Sequence, residues 1–191
     1  MELQKINIKV FAAQPNAVPL TDFIDLFHGW IQATDGVYHD VADYSHMQAG
    51  PGIVLVANDA NVSIDETDNR RGLLYSQKSQ LSGSNRSKLC EVFRAALENC
   101  RRLEEEPSLR GLLKFSANEA VISVNDRLAA PNTDEAFQEI KPDIESFAKA
   151  LYGDAEITLE RDNDPRKRFN VRIKTARPAD LEKLLSNLQC N

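Results

Sequence analysis

Short apolar segments separated by turn residues recur along the chain, and this pattern limits the fold more than any other feature of the sequence. Residues 5–10 alternate apolar and polar side chains, as in a strand with one face in solvent. Residues 53–56 are continuously apolar, as in a strand buried on both faces. Asn58-Asp59, a pair typical of tight turns, leads into a second alternating segment at residues 62–65. The pattern predicts a sheet assembled mainly from hairpins.

Four segments have the periodicity of amphipathic helices. The first begins at Thr21 or Asp22, and the clearest covers about residues 86–105. A third follows Asn132 and is expected to break or kink near Pro142, and the last covers residues 179–189. Together with the hairpins, these helices predict a single-domain α+β fold with a largely antiparallel (mixed) sheet and about four helices packed on it.

Two segments of the chain match each other at a separation of 60 residues. Residues 57–66 align without gaps with residues 117–126, and four positions are identical. We therefore interpret residues 113–126 as a second hairpin, equivalent to residues 53–66. Two explanations are open. Two independent hairpins use similar residues to form the same type of turn, or the chain contains a duplication with a pseudo-twofold arrangement. In both cases Asn58 and Asn118 are expected to occupy equivalent turn positions, since asparagine tolerates turn conformations.

Length and composition place the chain among ordinary globular proteins. Its 191 residues suit one domain with a substantial core. The first residues have no secretory pattern, and no apolar run reaches the roughly 20 residues that a membrane-spanning helix needs. Three cysteines are few and odd in number, which favours a reducing compartment over a disulfide scaffold. We expect a cytoplasmic protein that does not insert into membranes.

The charge is unevenly distributed. The formal net charge is −6, and residues 1–60 contain two lysines against seven acidic residues. The rest of the chain is therefore nearly neutral. A sequence pI near 5.2 argues against nucleic-acid binding, which requires a basic surface.

Residues 37–46 contain the highest density of side chains that could perform chemistry. As a helix, this stretch would place His39, Asp43 and His46 on one face, within reach of a single metal ion. As a strand, it would separate His39 from Asp43 by roughly 13 Å, too far to share an ion. Preceding Gly36 and the β-branched and aromatic content favour the strand.

A polar strand of this kind has two interpretations. It is an edge strand with its polar groups in water, or it lines a pocket. The pocket would be formed by Tyr38, Asp40 and Tyr44, with His28 contributed by the neighbouring helix. No cofactor is predicted, and a Zn or Fe site at His39, Asp43 and His46 is the alternative.

A basic cluster near the carboxyl end could bind an anion or a partner. Its residues, with two basic residues from an earlier loop, are Arg70, Arg71, Arg166, Lys167, Arg168 and Arg172. Glutamates in the strand before the cluster could neutralise part of this charge by cross-strand pairing. The cluster could also contact the acidic first third of another copy.

Four short segments resemble a family of uncharacterised bacterial proteins of similar length. They are residues 27–32, 40–46, 50–52 and 125–128. The family has no assigned activity, so the resemblance implies a bacterial cytoplasmic setting and no catalytic residue.

The sequence supports two hypotheses about function. No catalytic motif is present: Ser45 and His46 are adjacent in a predicted strand and point to opposite faces, and no Gly-x-Ser-x-Gly motif occurs. The first hypothesis is therefore a non-enzymatic binding or accessory protein that acts through protein contacts or self-association. The alternative is a metal-dependent enzyme or small-ligand binder with its pocket at residues 38–46.

Overall fold

A computed structural model describes residues 1–177 and 179–188, and the predicted α+β fold is confirmed. Eight strands and four helices are numbered in chain order. The strands are β1 (Ile6–Ala12), β2 (Tyr38–Tyr44), β3 (Gly52–Ala57), β4 (Ala60–Asp65), β5 (Gly72–Gln77), β6 (Phe115–Val124), β7 (Ile157–Arg161) and β8 (Asn170–Thr175). The helices are α1 (Asp22–Ala33), α2 (Asn85–Glu104), α3 (Asp134–Tyr152) and α4 (Leu181–Asn187).

All eight strands form one sheet in the order β2-β3-β4-β5-β1-β6-β8-β7, and each neighbouring pair is antiparallel. Strand β1 lies in the interior of the sheet, between β5 and β6. Strands β2 and β7 are the two edges. The amino-terminal strand therefore joins a half built from residues 38–77 to a half built from residues 115–175.

The helices pack on one face of this sheet, which we call the helix face. One row of register partners crosses seven strands on that face: Ile53, Ile64, Leu73, Val10, Ala120, Ile173 and Leu159. The predicted apolar stripe of α2 covers the middle of the sheet, and Leu89, Phe93, Ala96, Cys100 and Leu103 are all buried. Burial of this apolar layer is the main stabilising contribution to the fold.

Helix α3 continues through Pro142, so the break that the sequence predicted there as one of two outcomes, a break or a kink, does not occur. It extends over 19 residues, and its first turn is capped by the Thr133 side chain, which accepts a hydrogen bond from the Ala136 backbone N–H at 3.2 Å. Ile140 and Ile144 flank the proline and are fully buried. Their burial offsets the hydrogen bond that proline cannot donate.

The prediction of a second hairpin at residues 113–126 is wrong. Residues 115–124 form one continuous ten-residue strand, because β6 pairs with β1 on one side and with β8 on the other. Asn118 is thus an exposed residue within a strand, whereas Asn58 lies in the turn between β3 and β4. Ser63 alternates with the apolar residues of β4, yet it is only 4% exposed. The sequence match therefore does not correspond to a repeated hairpin.

None of the described helices combines the length and the hydrophobicity that crossing a membrane requires.

Candidate functional site

The histidine-rich stretch forms an edge strand, as the first of its two interpretations predicted. His39 and Asp43 lie on β2 and are exposed, and His46 follows the strand and is exposed as well. Within residues 1–177 and 179–188, no group of three or more His, Cys, Asp or Glu side chains could hold a metal ion. The structure therefore does not bring these three residues together.

A β-bulge in β2 separates the side chains of the predicted pocket. Tyr38 pairs with Ala57 but Asp40 pairs with Val56, so His39 is the extra residue. The bulge places Tyr38 on the helix face, whereas Asp40 and Tyr44 point to the opposite face. His28 is exposed on α1. The predicted pocket of Tyr38, Asp40, Tyr44 and His28 is accordingly not formed.

Tyr38 instead belongs to a packed cluster beside α1. Its ring lies 6.4 Å from the Trp30 ring, and its hydroxyl accepts a hydrogen bond from Arg102 at 3.3 Å. The Arg102 guanidinium lies 3.6 Å from the centroid of the Trp30 ring, a favourable cation–π arrangement. Trp30 donates its indole N–H to Glu106 at 3.0 Å. These contacts hold α1 to α2, and they place the Tyr38 ring among Trp30 and Arg102.

The face of the sheet opposite the helices contains a cleft of about 680 Å³, which we call the open-face cleft. A volume of this size lies within the range of small-molecule sites. Eight basic residues line it: Lys9, Arg70, Arg127, Arg161, Arg166, Lys167, Arg168 and Arg172. Four acidic residues line it: Asp65, Asp68, Glu160 and Asp162. On a chain with a net charge of −6, this cleft is a local basic region.

The floor of the cleft is formed by strands β1, β5, β6 and β8. A row of register partners with short polar side chains crosses the sheet there, and we call it the amide row. Its members are Asn170, Ser123, Asn7, Ser76 and Asn61. The next row on the same face contains the partly exposed apolar side chains of Val121 and Leu74 on either side of Lys9. The floor is therefore polar along one row and partly apolar along the next.

The amide row contains buried oxygens without hydrogen-bond partners. Among the described residues, three buried side-chain polar atoms lack a partner: Asn7 Oδ1, Asn61 Oδ1 and Arg161 Nε. Two of these atoms belong to the amide row, and Asn7 also lines the cleft. An unsatisfied buried polar group costs about 1–3 kcal/mol, and folded proteins retain few of them. Asn7 thus marks the floor of the cleft as a place where a hydrogen-bonding group from outside the chain would be stabilised.

A buried ion pair closes one end of the cleft. Lys9 Nζ lies 2.5 Å from Asp65 Oδ2 and donates a second hydrogen bond to the Thr67 carbonyl at 3.0 Å. Both side chains are almost inaccessible, with 10% of Lys9 and 2% of Asp65 exposed. Asp65 also accepts hydrogen bonds from the Thr67 backbone N–H and hydroxyl. The pair is therefore stabilised by hydrogen bonds within the protein and connects β1 to the loop after β4.

Arg70 reaches over the same end of the cleft. It donates two hydrogen bonds to Glu119, at 2.9 and 3.0 Å, and its guanidinium lies 3.6 Å from the centroid of the Phe11 ring. Arg172 lies 3.3 Å from the same carboxylate, so two guanidinium groups share one acid. The hydrogen bonds from Arg70 lower the pKa of Glu119 below its ordinary value.

The remaining basic residues differ in how far they are neutralised. Arg166 forms a bidentate pair with Asp164, which lowers the pKa of that acid to about 2, and Lys167 contacts Asp162 and Asp68. Arg161 lines the cleft, but its guanidinium is engaged by Asn132 and Asp134, which lie outside the lining.

Arg127 and Arg168 supply positive charge to the cleft without an acidic partner in residues 1–177 and 179–188. Arg127 donates to the Arg166 carbonyl, a neutral acceptor. Within the described part of the chain, no carboxylate lies within ion-pair distance of Arg168. Together with Arg172, these two residues provide the cationic surplus of the cleft.

Five of the six predicted basic residues line the cleft, and Arg71 does not. Arg71 donates to Glu66 at 2.5 Å and to the Val18 carbonyl at 2.6 Å, and it connects the loop before β5 with the segment before α1. The sequence prediction missed Asn7, Lys9 and Asp65. Asn7 and Lys9 were assigned to the solvated face of β1, yet they are only 4% and 8% exposed.

We predict that Glu119→Gln reduces the pH dependence of stability between about pH 7 and about pH 3.5. The folded-state pKa of Glu119 is lowered, so its stabilising contribution is present above the unfolded-state pKa and is lost as the pH falls through the folded-state pKa. Urea unfolding at both pH values measures this directly. The wild type should lose more unfolding free energy on acidification than the variant. Equal losses would show that the Arg70–Glu119 contact contributes nothing.

Comparisons with protein-family models, with curated proteins and with solved structures found no match to this chain. The resemblance to a bacterial family therefore stays a prediction.

Proposed function

We propose that this chain is a non-enzymatic binding protein and that its ligand is an anion held in the open-face cleft. The observation that carries the proposal is a surplus of positive charge in this cleft. Arg127, Arg168 and Arg172 supply positive charge that the described residues do not fully neutralise.

The chemistry of these side chains favours phosphate or carboxylate groups. Guanidinium groups present planar donors that match both anions, and charge-assisted hydrogen bonds are roughly twice as strong as neutral ones. The polypeptide also restricts these side chains, because Arg172 is anchored at Glu119 and Arg127 at the Arg166 carbonyl. Anchored side chains lose less conformational entropy when a ligand binds.

Several features support binding rather than catalysis. Several titratable residues of the cleft are engaged in ion pairs with one another, as in Lys9–Asp65 and Lys167–Asp162. No nucleophile–base pair appears among the described cleft residues. The alternative hypothesis of a metal site or a pocket at residues 38–46 loses support, because those side chains diverge from an exposed edge strand.

The test is calorimetric titration with pyrophosphate at low ionic strength. We expect binding to the wild type, and we expect the double variant Arg168→Gln/Arg172→Gln to bind at least about tenfold more weakly, since each charge-assisted hydrogen bond contributes about 1.5–3 kcal/mol. The affinity of the wild type should fall as salt is added, because the cleft is open to solvent.

The matched control is Arg86→Gln/Lys183→Gln, which removes two exposed positive charges outside the cleft. It should bind pyrophosphate as the wild type does. Absence of binding to the wild type, or equal weakening by both double variants, would contradict the proposal.

A second candidate is self-association, in which the cleft accepts an acidic edge of another copy. Asp40 and Asp43 lie exposed on the edge strand β2, and the floor of the cleft lies on the inner strands β5, β1, β6 and β8. Such a contact would join unlike surfaces head to tail. Size-exclusion chromatography with light scattering at low and high salt tests it. A strict monomer at all concentrations would remove this candidate, whereas association that weakens with salt would support it.

We place the protein in the bacterial cytoplasm. This part of the proposal is based on the sequence pattern and the family resemblance alone. It predicts that the protein fractionates with cytoplasmic contents when its source cells are lysed gently.

A further inference from the structure

The amide row extends the proposed function to a class of ligand. It crosses five adjacent strands, β8, β6, β1, β5 and β4, at successive register positions. Such a row of short amides and hydroxyls presents donors and acceptors in a nearly flat array. The Asn7 side chain can turn by about 180° around its last torsion at low cost, since that torsion is broad and roughly two-fold. It can therefore present either its carbonyl or its amino group to the cleft.

Asn7 and the cationic residues lie too far apart for a single small anion. Asn7 on β1 and Arg172 on β8 are separated by two strand spacings and two residues, which places their Cα atoms about 12 Å apart. A molecule that contacts both must extend over several ångströms. It must carry negative charge at one end and a neutral hydrogen-bonding group at the other.

The surroundings of Asn7 specify the neutral group further. The neighbouring row contributes the partly exposed side chains of Val121 and Leu74, and the buried Phe11 ring lies beyond them. A planar ring can lie on this flat, partly apolar floor and place its edge against the amide of Asn7. If that edge carries a hydrogen-bond donor next to an acceptor, an asparagine amide pairs with it through two hydrogen bonds, as it does with adenine.

We infer that the ligand of the open-face cleft is a nucleoside phosphate, with its base on the amide row at Asn7 and its phosphates at Arg168 and Arg172. This inference rests on the proposed function. That function requires an anionic group in the ligand, and the inference assigns the neutral group of the same ligand. The chain need supply no catalytic group, since only binding is inferred.

The test compares pyrophosphate with four nucleoside diphosphates, those of adenine, guanine, cytosine and uracil, by calorimetry on the full chain. At least one nucleoside diphosphate should bind about tenfold or more tightly than pyrophosphate, because it satisfies the buried amide of Asn7. The variant Asn7→Leu should abolish this gain and leave pyrophosphate binding unchanged. Its fold should persist, since leucine is close in size and removes an unsatisfied polar atom.

Asn61→Leu is the matched control, because Asn61 is in the same row with an equally unsatisfied oxygen but does not line the cleft. It should retain the full preference for the nucleoside diphosphate. Equal affinity for pyrophosphate and all four nucleoside diphosphates would overturn this inference and leave the proposed function standing. A preference that survives Asn7→Leu would overturn the placement of the base. Absence of binding by every compound would overturn both.

Discussion

Lys9→Met should lower the free energy of unfolding by about 3–5 kcal/mol, because it leaves the charge of Asp65 buried without its partner. The two groups lie 2.5 Å apart, and only 2% of the Asp65 side chain is exposed. Methionine fills much of the volume of lysine but offers no donor. Chemical denaturation of the variant and the wild type measures the difference.

Lys5→Met is the matched control on the same stretch of chain. Lys5 also pairs with an aspartate, Asp126 at 3.3 Å, but 54% of its side chain is exposed. An exposed pair contributes about 0–1 kcal/mol, so this variant should be nearly as stable as the wild type. The double variant Lys9→Met/Asp65→Asn should recover part of the loss, because it removes the unpaired charge. Equal stability of Lys9→Met and Lys5→Met would contradict the account of a buried pair.

Phe147→Ala should destabilise the fold by about 3–5 kcal/mol, the range for removal of a buried phenylalanine. Phe147 on α3 packs against Phe93 on α2 with ring centroids 4.7 Å apart, and both residues are 1% exposed. For a chain of this size each kcal/mol corresponds to about 2–4 °C in Tm, so the melting temperature should fall by roughly 6–20 °C. Calorimetric melting measures this shift.

The control for this prediction is Leu128→Ala. Leu128 is 97% exposed, and its truncation should change stability by no more than about 0.5 kcal/mol. A small effect of Phe147→Ala, comparable with that of Leu128→Ala, would show that α2 and α3 do not share one core.

The parts of the fold that local periodicity determines were predictable from the sequence. The stripe at Leu89, Phe93 and Cys100 defines one side of α2, and a helix of that length has only one way to bury it. The strand assignment of residues 38–44 followed in the same way from glycine, β-branched and aromatic residues. Neither inference required knowledge of which segments pack together.

The errors arose where distant segments determine the environment. Residues 115–124 resemble a hairpin locally, but pairing with β1 and β8 keeps them extended. The bulge at His39 places the Tyr38 side chain on the opposite face of the sheet from Asp40, and no pattern in the sequence indicated this bulge. A single-residue shift in register moves side chains to the other face of a sheet, so local alternation could not predict that site.

The candidate site was predictable in part for the same reason. Arg166, Lys167, Arg168 and Arg172 are close in sequence, so their clustering in one hairpin was visible. Asn7 lies on a strand more than 100 residues earlier in the sequence, and three other members of the amide row lie on β4, β5 and β6. The charge of the cleft was therefore detectable, but its hydrogen-bonding floor was not.

The central claim is that the ligand binds on the open face of the sheet and not at the edge strand. Titration of the isotope-labelled protein with pyrophosphate, followed by backbone amide chemical shifts, tests it most directly. The account predicts saturable shifts at Arg168, Asn170 and Arg172 of the cleft, while residues 38–46 remain unchanged. Shifts concentrated at residues 38–46, or no shifts in the cleft at millimolar pyrophosphate, would contradict it.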